Sequence, residues 1–346
     1  MSTPTQLPPR YQVSRMVSSV WIPQAVHAAA VLGVADVLAE GPMSSADVAA
    51  KLGVHPGALH RLLRALCVLE LCQHHADGRF GLTALGSCLR TDAPDSVRSW
   101  AQLWGGEMMW RPWGHLTDCV RTGVMAPKLL DGVETPFEYM AEHPEEDAMF
   151  NRSMQELTRG VAAVLATSYD FSGARTVVDV GGGYGALLAP VLRKYPQLRG
   201  RVYDLPRCEE GARQLFAEEG LSERCDFVGG DFFRSVPSGS DLYLLKSVIH
   251  DWDDAKSRTI LGNVRDALGE DSRLLLLEWP VPERVGPGDA GIIGTDLNML
   301  VMVGGQERTE REYRELLDSA RLRVTRVLPT PAGMAIIEAT RARHRS

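Results

Sequence analysis

Lysine is scarce in this chain: only five of its 37 basic side chains are Lys, scattered at 51, 128, 194, 246 and 256. No basic run is therefore available to grip a phosphate backbone, and 44 acidic residues leave a formal charge of −7 that repels nucleic acid and anionic lipid. Cysteine is also sparse, at 67, 72, 88, 119, 208 and 225, with no CxxC pair and no histidine at zinc-finger spacing. That pattern signals neither a disulfide framework nor a structural metal, and a reducing cytoplasm is the expected setting. Long apolar runs are missing too. The richest early stretch, Val17 to Leu38, is broken by Pro23, Gln24, His27 and Asp36, so no membrane span is expected. Nor is there a basic leader followed by a compact apolar segment, so no signal peptide is expected.

What is present suits a globular protein, with 45% hydrophobic and 23% charged residues over 346 positions, enough for two domains. Residues 1–12, with Pro4, Pro8 and Pro9, read as a disordered lead-in. Apolar spacing from Val13 to Leu38 predicts helix, bent or divided at Pro23. Ser44 caps a second helix that stops at Gly53, His55-Pro56 opens a third, and Leu71–Leu82 turns at Asp77-Gly78 as a short hairpin. That order is a winged helix, a DNA-gripping arrangement in other proteins. Here residues 44–90 carry five basic and three acidic side chains, too slight an excess for strong phosphate binding.

Residues 93–170 read as helical. From Arg175 onward, strand patterns alternate with helices: Thr176–Val180, Arg201–Asp204, Cys225–Val228, Asp241–Ile249 and Arg273–Glu278, with helices starting near 185, 207, 253 and 308. Alternation of this kind predicts an α/β fold with a parallel sheet covered on both faces. Leu322–Leu328 and Met334–Ala339 are too close together for a crossover and must pair antiparallel at the end of the sheet.

Val177-Val178-Asp179-Val180-Gly181-Gly182-Gly183-Tyr184-Gly185 is an apolar strand running into a glycine turn, after which a helix is expected over Ala186–Lys194. Glycines there let a ligand approach the backbone closely. Asp204, at the end of the next strand, lies 19 residues past Gly185, the spacing of a ribose-binding acid. Asp231-Phe232 adds an acid and an aromatic after the third strand, suited to a purine. The Gly-Gly-Gly-x-Gly spacing is not the G-x-G-x-x-G of a pyrophosphate site, so a nucleoside with no phosphate, such as S-adenosylmethionine, fits better than NAD.

Chemistry concentrates at Lys246-Ser247-Val248-Ile249-His250-Asp251-Trp252-Asp253-Asp254, on the ligand side of such a sheet. The acids after His250 also suit a helix N-terminus. Glu278 ends the fifth strand after four leucines and needs a partner, while Glu307, in Gly304-Gly305-Gln306-Glu307-Arg308-Thr309, is not explained by helix capping. An imidazole near pKa 6.5 is neutral at pH 7 and able to take the proton of a phenol, near 10. No second group of metal ligands is visible, so no metal is expected.

VVDVGGGYG, YDLP, GGDFF, LKSVIHDWDD, LLLLEW and DLNMLVMVGGQERT, in this order, resemble the small-molecule O-methyltransferases of the caffeic acid type and their bacterial relatives in antibiotic and pigment pathways. The resemblance covers nearly the whole chain. It implies a Rossmann-like methyltransferase sheet with a terminal antiparallel hairpin, preceded by a mostly helical, winged-helix dimerisation domain that makes a homodimer. The implied division is 1–110 for dimerisation, 111–170 for a helical connector contributing to the acceptor pocket, and 171–346 for catalysis. Carried over, it implies that Gly181, Asp204, Asp231, Phe232 and Lys246 contact S-adenosylmethionine. It also implies that His250 is the general base flanked by Glu278 and Glu307, and that Phe150, Met154, Asn298, Met299, Met302 and Val303 line the acceptor pocket. Relatives that methylate nitrogen, hydroxylate or decarboxylate would keep the same cofactor motifs. A cofactor-sensing DNA-binding regulator is the reading from another class.

Overall fold

The computed structural model describes residues 7–342, which fall into two compact units meeting in sequence between Arg111 and Pro112. The first six residues of the expected lead-in lie outside the described part. The rest of it is not disordered: a helix runs Pro9–Ser18, because a proline in the first turn lacks only an N–H that would be unpaired there anyway. For the same reason Pro23 does not divide the next helix, Trp21–Leu32, in whose first turn it sits. The break falls earlier, at Ser19-Val20.

In the N-terminal unit, Ser44 accepts the Asp47 N–H to cap Ser45–Leu52, and Pro56–Val68 follows. β1 (Cys72–His74) and β2 (Phe80–Leu82) then pair antiparallel. Ala30, Val34, Leu38, Leu63, Leu66 and Phe80 make the core of this unit. Trp21–Leu32 lies along Arg98–Gly105, fastened by Gln24 donating to Gly105 O at 3.0 Å and Gln102 donating to Ala30 O at 3.2 Å. Much of the first helix stays uncovered, with Met16 70% and Val17 76% exposed.

The C-terminal unit opens with short helices and one long one, Pro144–Ser168, and then builds a seven-stranded sheet. Its strands are β3 (Thr176–Val180), β4 (Arg199–Asp204), β5 (Cys225–Gly229), β6 (Leu242–Lys246), β7 (Arg273–Glu278), β8 (Leu322–Pro329) and β9 (Ala335–Arg341). They lie in the order β5-β4-β3-β6-β7-β9-β8, all parallel except the terminal hairpin β8-β9, whose β9 runs against β7. Strand alternation serves both faces. Leu275 and Leu277 pack with Leu165, Leu188 and Phe216, while Leu274 and Leu276 pack with Ile260, Val264 and Leu316.

Strand order reverses between β3 and β6, which opens a crevice beyond their carboxyl ends. The fourth strand is shorter than expected. It ends at Lys246 because Ser247 takes φ 52, and a 3-10 turn, Ile249–Asp251, follows. The glycine turn likewise delays the next helix to Leu188–Lys194. One helix was not anticipated: Ala290–Met302 is apolar on most sides and shows little of the usual amphipathic spacing.

Candidate active site

The end of β3 is built for close approach. Gly181 takes φ 72 and donates its N–H to Tyr203 O at 2.8 Å; a Cβ there would stand 2.8 Å from Val248 and 3.5 Å from Phe232. Asp204 ends β4, where one oxygen accepts the Gly183 N–H at 2.7 Å and the other the Leu205 N–H at 2.6 Å. An ionised carboxylate has about four acceptor positions, so two remain for hydroxyls. Burial pushes the Asp204 carboxyl up, opposed by those two N–H groups and by Arg207.

Asp231 accepts the Phe233 N–H at 2.8 Å, and Phe232 stands edge-on to Phe233 and Trp252, at 5.0 and 6.2 Å. Lys246 donates to Thr158 Oγ1 at 3.2 Å; burial lowers its pKa, against the pull of Glu278, Asp179 and Asp251. Asp179 is 1% exposed and its Oδ2 has no hydrogen-bond partner. Burial raises it to about 7 despite the attraction of Lys246. Sequence reasoning passed over it, although a lone acid within an apolar strand was the available signal. A backbone cradle with a strand-end acid and an orphaned buried carboxyl oxygen fits a nucleoside carrying a cationic tail.

The second half of the site gathers around His250, which is 9% exposed. Its Nδ1 is 2.8 Å from Glu307 Oε1 and 3.8 Å from Glu278 Oε2. Both glutamates thus address the same ring nitrogen. A carboxylate can only accept, so Nδ1 carries a hydrogen. Nε2 faces Asp251 Oδ1 at 3.4 Å. This acid, read from sequence as helix-end charge, belongs to the cluster; the helix cap is Asp253, which accepts the Lys256 N–H.

The neutral imidazole expected from sequence is corrected here. Burial alone would lower the His250 pKa, but the charges of Glu278 and Asp251 and the hydrogen bond to Glu307 outweigh it and raise the ring to about 10. Burial in turn lifts Glu278 to about 7 and Asp251 to about 6.

A loop fixes this geometry. Gln306 donates its N–H to His250 O at 2.9 Å, and Glu307 donates its own to Asp296 Oδ1 at 2.9 Å. Arg308, 1% exposed, donates to Ile249 O at 3.0 Å and to Trp252 O and Asp254 Oδ1 at 2.8 Å each. It was another residue that sequence reading did not single out.

Residues 113–323 match the O-methyltransferase domain family, and residues 14–92 match the O-methyltransferase dimerisation domain. The chain is 39% identical over 327 residues to phenazine O-methyltransferase PhzM of Lysobacter antibioticus, covering 94% of each chain. The chain belongs to the O-methyltransferase family. It is also 39% identical to the mitomycin biosynthesis 6-O-methyltransferase of Streptomyces lavendulae, over 95% of this chain and 94% of that one. The crystal structure of human N-acetylserotonin methyltransferase in complex with S-adenosylmethionine superposes with a TM-score of 0.91 at 31% identity, covering 99% of this chain and all of that one.

In this O-methyltransferase the expected acceptor residues lie on two helices. Phe150 and Met154 are half-buried on Pro144–Ser168, where Phe150 meets Phe137 edge-on at 6.3 Å, and Phe137 meets Trp252 at 5.9 Å. Asn298, Met299 and Met302 sit on Ala290–Met302, with Val303 just past its end. Asn298 accepts the Trp113 indole N–H at 3.1 Å, while Met299 and Met302 are buried. Among the described residues, His250, Glu278 and Glu307 place ligand-type atoms within 4.8 Å of one another. Of these, Glu307 already engages Nδ1 directly, at 2.8 Å.

Proposed function

We propose that this enzyme transfers a methyl group to a hydroxyl of an aromatic or polycyclic small molecule of the natural-product class, with His250 receiving the acceptor's proton. The single observation carrying the base assignment is the buried imidazole held through Nδ1 by Glu307 at 2.8 Å with Glu278 behind it. That arrangement keeps both glutamates on Nδ1, so that Nε2, beside Asp251 Oδ1 at 3.4 Å, is the nitrogen that receives the proton, and it stabilises the imidazolium.

S-adenosylmethionine supplies the electrophilic methyl group. Gly181 and Phe232 admit and cover the nucleoside, Asp204 takes the ribose hydroxyls, and Asp231 and Lys246 complete the grip. Phe150, Met154, Asn298, Met299, Met302 and Val303 hold the aromatic acceptor so that its oxygen approaches in line, mainly a positioning task. A phenol and a carboxylate-supported imidazole, both near 10, have matched proton affinities. The proton therefore passes between them with little driving force either way, and the ionised oxygen meets an imidazolium partner.

The matched dimerisation domain and the exposed apolar helix face support a homodimer. The acidic charge supports a chain without a nucleic-acid partner. No helix among the described residues is long and apolar enough to cross a membrane, and the thiols are free, in keeping with a cytoplasmic enzyme. No metal takes part in this reading, and turnover is expected to be unchanged by EDTA.

Mass spectrometry of the protein with S-adenosylmethionine and a panel of phenols, quinones and N-hydroxy heterocycles tests the proposal. One methyl gained on oxygen, with S-adenosylhomocysteine released, is the expected result. His250→Ala should lower turnover on an ordinary phenol by about 10²–10⁴-fold with cofactor affinity intact, and a low-pKa acceptor should be partly rescued. Methylation on nitrogen would overturn the reaction assignment, and full turnover by His250→Ala on a neutral phenol would overturn the base.

A further inference from the structure

The long helix Pro144–Ser168 carries a stripe of buried polar residues that reaches all three segments of the cofactor site. Asp147, Asn151 and Thr158 are each 8% exposed and lie on one face of the helix, at i, i+4 and i+11. Thr158 meets Lys246 at the end of β6. Asn151 Oδ1 lies 3.9 Å from Cys208 Sγ and would stand 3.7 Å from a Cβ on Gly183, the residue whose N–H reaches Asp204. Asp147 Oδ1 accepts from Arg207 Nε at 2.9 Å. Asn151 also donates to Asp147 O at 2.9 Å, tying the last two of these contacts together.

A helix N-terminus favours acids, but Glu145 and Glu146 already occupy that turn. Asp147 is the one acid of the three that is buried, and it is turned toward the Asp204 loop. Arg207 acts on both carboxylates: it helps hold Asp204 ionised, against burial and against the charge of Asp147. One guanidinium thus stands between the acid assigned to the ribose and the helix that carries Phe150 and Met154.

We infer that Asp147 and Arg207 are positioning residues that couple cofactor occupancy to the acceptor-side helix, so that the nucleoside binds first and sets Phe150 and Met154 for the acceptor. The inference rests on the proposed placement of the ribose at Asp204. Fixing Asp204 by ribose hydroxyls fixes Leu205-Pro206-Arg207, and the ion pair carries that order into the first two turns of the helix. Neither Asp147 nor the helix turn it steadies needs to touch the cofactor.

Hydrogen exchange of residues 144–158 in the full chain, with and without S-adenosylhomocysteine, reads the coupling directly. In the unmodified protein the ligand should slow exchange there by about tenfold or more. Asp147→Asn should bind S-adenosylhomocysteine within about threefold of normal by calorimetry, about half of a tenfold step in free energy, yet lose the ligand-dependent slowing. Asp147→Glu should restore it. If Asp147→Asn keeps the slowing, or speeds exchange equally with and without ligand as a merely structural pair would, the coupling is overturned. Asp204→Ala separates the two readings. Unchanged ligand affinity in that variant overturns the ribose assignment itself, whereas lost affinity together with persistent slowing in Asp147→Asn overturns only the coupling.

Discussion

His250 differs from a free imidazole because three carboxyl groups surround it in a site shielded from water, raising it to about 10. The sign of the consequence is definite. A base with a raised pKa is protonated below that value and available above it, so kcat/KM on an ordinary phenol should climb with pH from 7 and level off near 10. Glu307→Gln removes a partner that raises the ring, so the climb should move to lower pH while the plateau falls. A pH–rate profile of the two proteins checks this; a variant profile unmoved along the pH axis would separate Glu307 from the proton. At this scale His250, Glu278 and Glu307 were legible because each stood at a strand end or beside glycines without a structural reason. Asp251, Asp179 and Arg308 were not. Asp251 looked like helix-end charge, Asp179 lay inside the strand leading to the glycine turn, and Arg308 lay beside Glu307 with no pattern of its own to mark it.

Elements place these residues through contacts that tolerate no added atom at one point. A Cβ on Gly305 would lie 2.0 Å from His250 O and 2.5 Å from the Asp251 carbonyl carbon, both backbone, so the loop or the histidine turn must move. Gly305→Ala should therefore cut kcat, by up to about 10²-fold if the displacement nears 1 Å, with the S-adenosylhomocysteine affinity little changed. Gly262, within the helix Asp254–Ala267, has open space where its Cβ would lie. Gly262→Ala should raise stability by up to about 1 kcal/mol, measured by denaturant unfolding, and leave turnover alone. Strand and helix alternation was readable because apolar residues in β3, β6 and β7 occur in short runs between helical patterns. The helix Ala290–Met302 was not, since its nearly uniform apolar character hides a period of 3.6.

At the scale of the whole molecule, the first helices leave an apolar face uncovered. Val13, Met16, Val17 and Val20 are each more than half exposed, and Trp21 is 42% exposed, a cost in water that association would remove. Sedimentation equilibrium should show a dimer at micromolar concentration, and Val17→Glu should shift it toward monomer; a monomeric parent protein would reject the homodimer.

The order of elements, the glycine turn, the strand-end acids and the candidate base are local patterns, each contained within about ten residues, and the sequence by itself determined them. Proton affinity and mutual position are not local. Glu278 and Glu307 reach one ring nitrogen only because β7 lies beside β6 and because the loop at Gln306 and Arg308 closes onto Ile249–Trp252. Tertiary packing therefore decided that His250 is a carboxylate-supported imidazole whose proton affinity is raised. Charges brought within 4 Å in a buried site interact far more strongly than their spacing along the chain can indicate.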